Sequence, residues 1–497
     1  MPSLSYDILI IGSGAGGGTI AQRLIPLAQA GARIAILESG PHFDKSYFTQ
    51  REIEMLDLFK DRGAWPTTDG AITVSTGHAV GGSTLMYTGV TFRLPEEVCR
   101  EWKVDGITPE DLNPRFDRLL DEVHAIEPDE SVFENDNNRL FREGCQKLGW
   151  RVDKFHVNVK DCEGMGFCNL GCARGHKQGT IEVQIPQATK GGIELIPNCT
   201  VEKIAKQKVF ATISPAPKGT IPGKLSAGAY EFTAKKIILA GGTAGTPAIL
   251  LRSGFQKEVP AIGRYITLHP ALVVCGIYPQ KIKNYKGFPK MYFTQEFSST
   301  HQYYLETAFY YPFIQTKHTG LWGAELKYVM KRYNHMMDIL ILTHDEALPE
   351  NCILLDKQGQ PQLHYKLTEQ NIRSLVHAQA QCARIFFSAG CEEVIAPSAR
   401  KPLFKKNDAS DAQLEEFISA KYFVPNKTPV ASAHLQGGCR MGSDPQTSVT
   451  DAWGRVHGHD WLYVADGSLF PKSSHVNPYL TIMALADRVA ECVLKEV

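Results

Sequence analysis

An apolar run, Ile8-Leu9-Ile10-Ile11, followed at once by Gly12-Ser13-Gly14-Ala15-Gly16-Gly17, constrains this chain more than any other feature. Residues 7–11 read as a buried strand, 15–30 as a helix and 33–37 as a second strand, which together make a βαβ unit. The glycines belong at its first turn. Gly12 permits the tight bend, Gly14 lets the backbone approach a pyrophosphate at the helix N-terminus, and Gly17 lets the helix pack on the strand. Glu38 ends the second strand 21 residues after Gly17, where a carboxylate accepts hydrogen bonds from a ribose diol. The unit predicts dinucleotide binding, but on its own it does not separate a nicotinamide from a flavin dinucleotide.

A chain of 497 residues exceeds what one hydrophobic core serves, so two domains are expected, built from interleaved segments. Its 53 basic and 53 acidic residues cancel, which leaves no electrostatic footprint for nucleic acid or an anionic membrane. No run of 18 apolar residues occurs, and Met1 to Tyr6 lacks a basic region leading into an apolar one. A soluble cytoplasmic protein without a transmembrane segment is the expectation. Nine of the 12 cysteines are scattered singly, as reduced core cysteines are.

Further segments punctuate the chain. His78-Ala79-Val80-Gly81-Gly82-Ser83-Thr84 is a second glycine turn, suited to backbone lying against a ring or a diphosphate. Residues 235–240 read as a strand that returns to the first sheet, with Gly241-Gly242 turning into a helix through Leu251. Aromatic residues crowd residues 292–322, and their alternation predicts strands. Thr368 predicts a helix cap and Gly390 the helix end, so a sheet with this helix makes a separate substrate domain.

With these segments assembled, the chain resembles the glucose-methanol-choline (GMC) oxidoreductases, a family of FAD-dependent alcohol oxidoreductases. The resemblance rests on five ordered motifs: Gly12 to Gly17 with Glu38; Gly81-Gly82-Ser83-Thr84; Gly242 to Pro247 with Ser253-Gly254; His434 with Gly437-Gly438 and Met441-Gly442; and Val464 to Pro471 followed by Asn477-Pro478. It implies an α/β fold in which a Rossmann-like FAD-binding domain (1–155, 195–263 and 430–497) is interleaved with a smaller α+β substrate-binding domain (156–194 and 264–429) built on an antiparallel sheet. It also implies FAD with its pyrophosphate at Gly12, Ser13, Gly14, Ala15, Gly16 and Gly17, its adenine near Val201, and its flavin by Gly81, Gly82, Ser83, Asp466, Gly467, Asn477 and Pro478. In the family a histidine and a histidine or asparagine stand over the flavin; His434 and Asn477 match them. His475 lies close by and reads as a loop residue rather than a second base. Met86 stands where some members attach FAD through a histidine, so non-covalent FAD is expected.

Alcohol oxidation removes a hydroxyl proton and a carbon-bound hydride. An imidazole such as His434 suits the first task, and the amide of Asn477 suits holding the oxygen. The aromatic stretch, with Tyr292, Phe309, Tyr311 and Phe313 as a pocket wall, suggests a hydrophobic alcohol; a sugar or polyol dehydrogenase is the alternative. A flavin-carrying electron-transfer subunit without its own substrate site is the rival from another class. Oxygen, a quinone or a redox protein would reoxidise the flavin. Cys162, Cys168 and Cys172 lie within eleven residues in a segment similar to long-chain alcohol oxidases. They read as a loop of reduced cysteines or one disulfide, the alternative being ligands of a three-iron four-sulfur cluster.

Overall fold

A computed structural model describes residues 1–406 and 410–496. The run that opens the chain forms β1 (Ser3–Ile11), whose Ile8, Leu9 and Ile10 are wholly enclosed, as in a parallel strand covered on both faces. After α1 (Ala15–Arg23) the chain enters β2 (Ile34–Leu37), parallel to β1. The helix expected over 15–30 is divided at Leu24, because Pro26 lacks an N–H and its ring crowds the carbonyl four residues back. The sheet then takes β3 (Glu194–Ile196), β4 (Cys199–Ala205), β5 (Lys208–Ile213) and β6 (Gly228–Leu239) in the order β3-β2-β1-β6-β5-β4. Leu462–Val464 lies parallel to β6, so the C-terminal segment joins the same sheet. Outside it, α2 (Pro109–Glu122) turns Leu112, Phe116 and Leu119 inward, and α3 (Gly242–Arg252) follows β6.

A second core gathers around antiparallel strands β7 (Ala271–Ile277), β8 (Tyr292–Thr294), β9 (Tyr303–Ala308) and β10 (Met336–Thr343), ordered β7-β10-β9-β8. One face is covered by α4 (Glu369–Ser388), whose Leu375, Ala378, Cys382 and Phe386 are fully buried. Thr368 and Asn371 form its capping box, as the sequence suggested for Thr368. Gly276 permits the close approach, since a Cβ there would sit 2.5 Å from the Phe386 ring. Tyr303 and Leu305 join the core under α4, so the alternate residues Tyr304 and Glu306 point to the opposite face. The expected strands end at Ala308: Pro312 starts a helix (Pro312–Thr319), placing Phe313 on an exposed surface.

Packing crosses the domain limits suggested by the sequence. Ile72 and Val74 pair beside Val430–Ser432 and, with the helix Asp136–Lys147, enter the second core. Ile185 and Ala188 instead enter the first, on a helix (Gln184–Lys190) set against α1. The chain ends on α5 (Tyr479–Glu496), pinned to α1 and α2 by Asp487, whose carboxylate accepts from Arg23 and Arg118 at 2.5 Å and Arg115 at 2.6 Å.

Candidate active site

Two glycine turns meet backbone to backbone above β1. A Cβ at Gly82 would stand 2.9 Å from the Gly14 Cα, and Gly81 N–H donates to Ser13 Oγ at 3.0 Å. Gly12, at φ +107°, lies so close to Ala240 that a Cβ would be 2.2 Å from its carbonyl oxygen; at Gly16 the oxygen of Ala465 would be 1.7 Å away. Gly17 abuts Gly12 O at 2.0 Å by the same measure, which is the helix-on-strand packing expected of it. At Gly14 the nearest protein atom to such a Cβ is 3.9 Å away, so packing does not explain that glycine. Glu38 is buried, with Oε2 accepting from Ser13 N (2.9 Å) and Oγ (2.6 Å) and Oε1 from Gly40 N (2.7 Å). Val201 is buried on β4, its carbonyl accepting from Arg252 at 3.4 Å.

The C-terminal motifs come together through Asp466. Its Oδ2 accepts from Gly242 N (2.8 Å) and Thr246 Oγ1 (2.5 Å) and its Oδ1 from Ser468 N (2.8 Å), joining the Asp466-Gly467 turn to the start of α3. Backbone bonds Gly437 N to Gly467 O (3.0 Å) and Cys439 N to Ser468 O (2.9 Å) lay the His434 loop along that turn. Among the described residues, buried Ser468 Oγ and Thr481 Oγ1, the latter in the first turn of α5, have no hydrogen-bond partner.

His434 and Asn477, 43 residues apart, meet with Nε2 and Nδ2 at 3.4 Å. The other ring nitrogen of His434, Nδ1, faces Nδ1 of His269 at 3.2 Å, and His269 Nε2 lies 2.6 Å from Ser473 Oγ. Burial first, and then the nearby Lys290 ammonium, push His434 down to about 3. His269, fully enclosed beside His434, His475 and His344, is also held well below the usual imidazole range, by burial foremost. His475 stacks on His344 with centroids 4.1 Å apart, and its backbone N–H donates to Ser473 Oγ at 3.2 Å. Both His269 (φ +51°) and His475 (φ +57°) occupy the left-handed region that such side chains rarely adopt. Sequence reading missed His269, Ser473 and His344; the only local sign was a His-Pro pair at 269–270.

All three clustered cysteines are free thiols. Among the described residues no three His, Cys, Asp or Glu side chains gather to hold a metal ion, so the iron–sulfur expectation is not supported. Lys177 ties this loop to the segment after the second glycine turn: its Nζ donates to Cys168 O (2.7 Å), Leu85 O (2.7 Å) and Tyr87 O (2.9 Å).

Glycine turns at the end of a mainly parallel sheet, a histidine–asparagine contact on two C-terminal loops and a second core built on an antiparallel sheet define an α/β protein of two packed cores. Family models of GMC oxidoreductase match residues 55–271 and 350–486, and the chain belongs to that family. A long-chain-alcohol oxidase of Arabidopsis thaliana is 27% identical over 97% of this chain, which spans 66% of that relative's length. Among solved structures, a formate oxidase of Aspergillus oryzae superposes with TM-score 0.74 at 13% identity, over 100% of this chain and 99% of the other. Pyridoxine 4-oxidase from Mesorbium loti gives 0.68 at 16%, over 99% of both chains. Among the described residues no helix is long and apolar enough to cross a membrane.

Proposed function

We propose that this protein is an FAD-dependent oxidoreductase that oxidises the CH–OH group of an alcohol. The observation that carries the proposal is the convergence of His434 Nε2 and Asn477 Nδ2 beside the Asp466-Gly467 turn. The surroundings fit FAD: the backbones of Gly12 to Gly17 and of Gly81 to Ser83 form one cradle, and Ser468 Oγ and Thr481 Oγ1 await partners. Glu38 already accepts from Ser13 N and Oγ, Ser39 Oγ and Gly40 N, so a ribose hydroxyl would take the place of one of the two serine hydroxyls on it, while Val201 would face adenine and Asn477-Pro478 the flavin edge. Met86 offers no nucleophile, so the cofactor would be held without a covalent bond.

FAD bound there supplies the hydride acceptor. A base at His434 Nε2 requires its proton on Nδ1. His269 Nδ1 is placed to accept that proton's hydrogen bond, and His269 Nε2–H then donates to Ser473 Oγ. His434 takes the hydroxyl proton while the Asn477 amide holds the developing alkoxide. The substrate would be largely hydrophobic, a reading supported by Phe92, Phe293 and Tyr304 on the roof side and by the long-chain-alcohol oxidase relatives. Of the aromatics suggested by sequence, Tyr292 bonds Glu134 and Phe313 is exposed, whereas Phe309 and Tyr311 pack with Met86 beside the second glycine turn.

Purified protein should be yellow and should release intact FAD on acid precipitation. Colourless protein that also fails to bind added FAD overturns the cofactor; flavin retained in the acid pellet overturns the non-covalent mode.

A further inference from the structure

On the roof face that carries Tyr304, one charged pair is buried: Lys290 and Glu306, at 8% and 2% exposure, hydrogen-bond to each other. Register places Glu306 opposite Phe293 on β8 and Leu340 on β10, so its carboxylate emerges among apolar side chains. Among the described residues, Lys290 Nζ bonds only Glu306, leaving two N–H donors unspent, and no donor reaches Glu306 Oε1. Charge in such a place is costly unless its remaining bonds are made. A row of ring contacts runs from the pair towards the reacting groups. Phe293 packs on Phe92 (centroids 5.0 Å) and Phe92 near Tyr304 (6.3 Å); Tyr304 meets His344 (5.1 Å), which stacks on His475, two residues before Asn477. The Lys290 ammonium also acts on His434, lowering it further after burial.

We propose that Lys290 and Glu306 determine specificity by binding a second hydroxyl of the substrate, so that the preferred alcohol is a mostly apolar molecule with a hydroxyl at each end. The inference rests on His434 and Asn477 as the place where the first hydroxyl reacts. The pair is neutral overall, and that selects the ligand: a carboxylate would meet Glu306, an ammonium would meet Lys290, and a hydroxyl can donate to one while accepting from the other. Phe293, Phe92 and Tyr304, in contact with one another beside the pair, suit the connecting carbon chain or ring. An alcohol lacking the second hydroxyl leaves the pair desolvated and incompletely bonded, and buried polar sites discriminate strongly against such analogues.

The test compares linear α,ω-diols with 1-alkanols of equal chain length, from about four to ten carbons, on the FAD-loaded enzyme. At one or two lengths the diol should exceed the monoalcohol at least about tenfold in kcat/KM, the scale of a charged hydrogen bond. In Glu306→Gln, and in the double variant Lys290→Met with Glu306→Leu, the diol-to-monoalcohol ratio should fall towards one. Dissociation constants of both alcohols for the His434→Ala protein, by calorimetry, give the same ratio without turnover. Equal constants for diol and monoalcohol at every length in the wild-type enzyme overturn the inference even if both variants fail to fold, as does a ratio that survives in folded Glu306→Gln. Failure of every alcohol to reduce the flavin instead overturns the underlying assignment of the reaction.

Discussion

At the residue scale, the candidate base is set by its surroundings rather than by its identity. Burial, aided by Lys290, lowers His434 to about 3, so the ring stays neutral, and able to accept a proton, far below the ordinary histidine value of about 6.5. The sign follows directly: protonation disables a base, and a depressed pKa postpones protonation to lower pH. The rate of flavin reduction at saturating alcohol should therefore stay level between about pH 8 and pH 5. An acid limb centred near pH 6.5 in a stopped-flow pH series would contradict this environment for His434. His269 is part of the same setting, because it receives Nδ1 of His434 and is itself kept neutral by burial.

At the element scale, the cofactor cradle depends on how closely α1 approaches the Asp466 turn. Gly16 is the point of contact, and a methyl group there would collide with the Ala465 carbonyl, a backbone atom that can yield only if the turn moves. Gly16→Ala should fold with a lowered melting temperature and lose FAD on gel filtration; retention of a full complement of FAD would contradict the contact. Such elements were legible because their signals are local: an apolar run, a glycine turn and an acidic strand end lie within 31 residues. The Thr368 cap was legible for the same reason. The His269–His434 contact was not, since 165 residues separate the two rings and long-range pairing, such as the mutual Thr267–Gln436 backbone bonds, brings them together. Lys290 and Glu306 are 16 residues apart, but their pairing depends on the register of β8 with β9, which strand patterning alone leaves open. In the aromatic stretch, alternation alone does not say which face of a sheet meets a core and which meets a ligand.

At the scale of the whole molecule, the first and last segments of the chain build one lobe: β1 and β6 lie parallel, Leu462–Val464 joins them, and Asp487 ties α5 to α1 and α2. The middle of the chain supplies the roof. His434 and Asn477 sit where the two meet, each on a segment bonded to the Asp466 turn or leading into α5. This arrangement separates the tasks. In the proposed function the N-terminal glycines would hold the cofactor, the roof would select what reaches it, and the junction would carry the proton chemistry. Removing the junction histidine should leave the first two intact. The most direct test is anaerobic single-turnover reduction of bound FAD by an alcohol, followed by loss of visible flavin absorbance, in wild type and His434→Ala loaded with equal FAD. The wild-type flavin should bleach, and the variant should bind the alcohol with little change but bleach roughly 100-fold or more slowly, the scale of losing a general base. Equal bleaching rates in the two proteins would contradict the role given to His434.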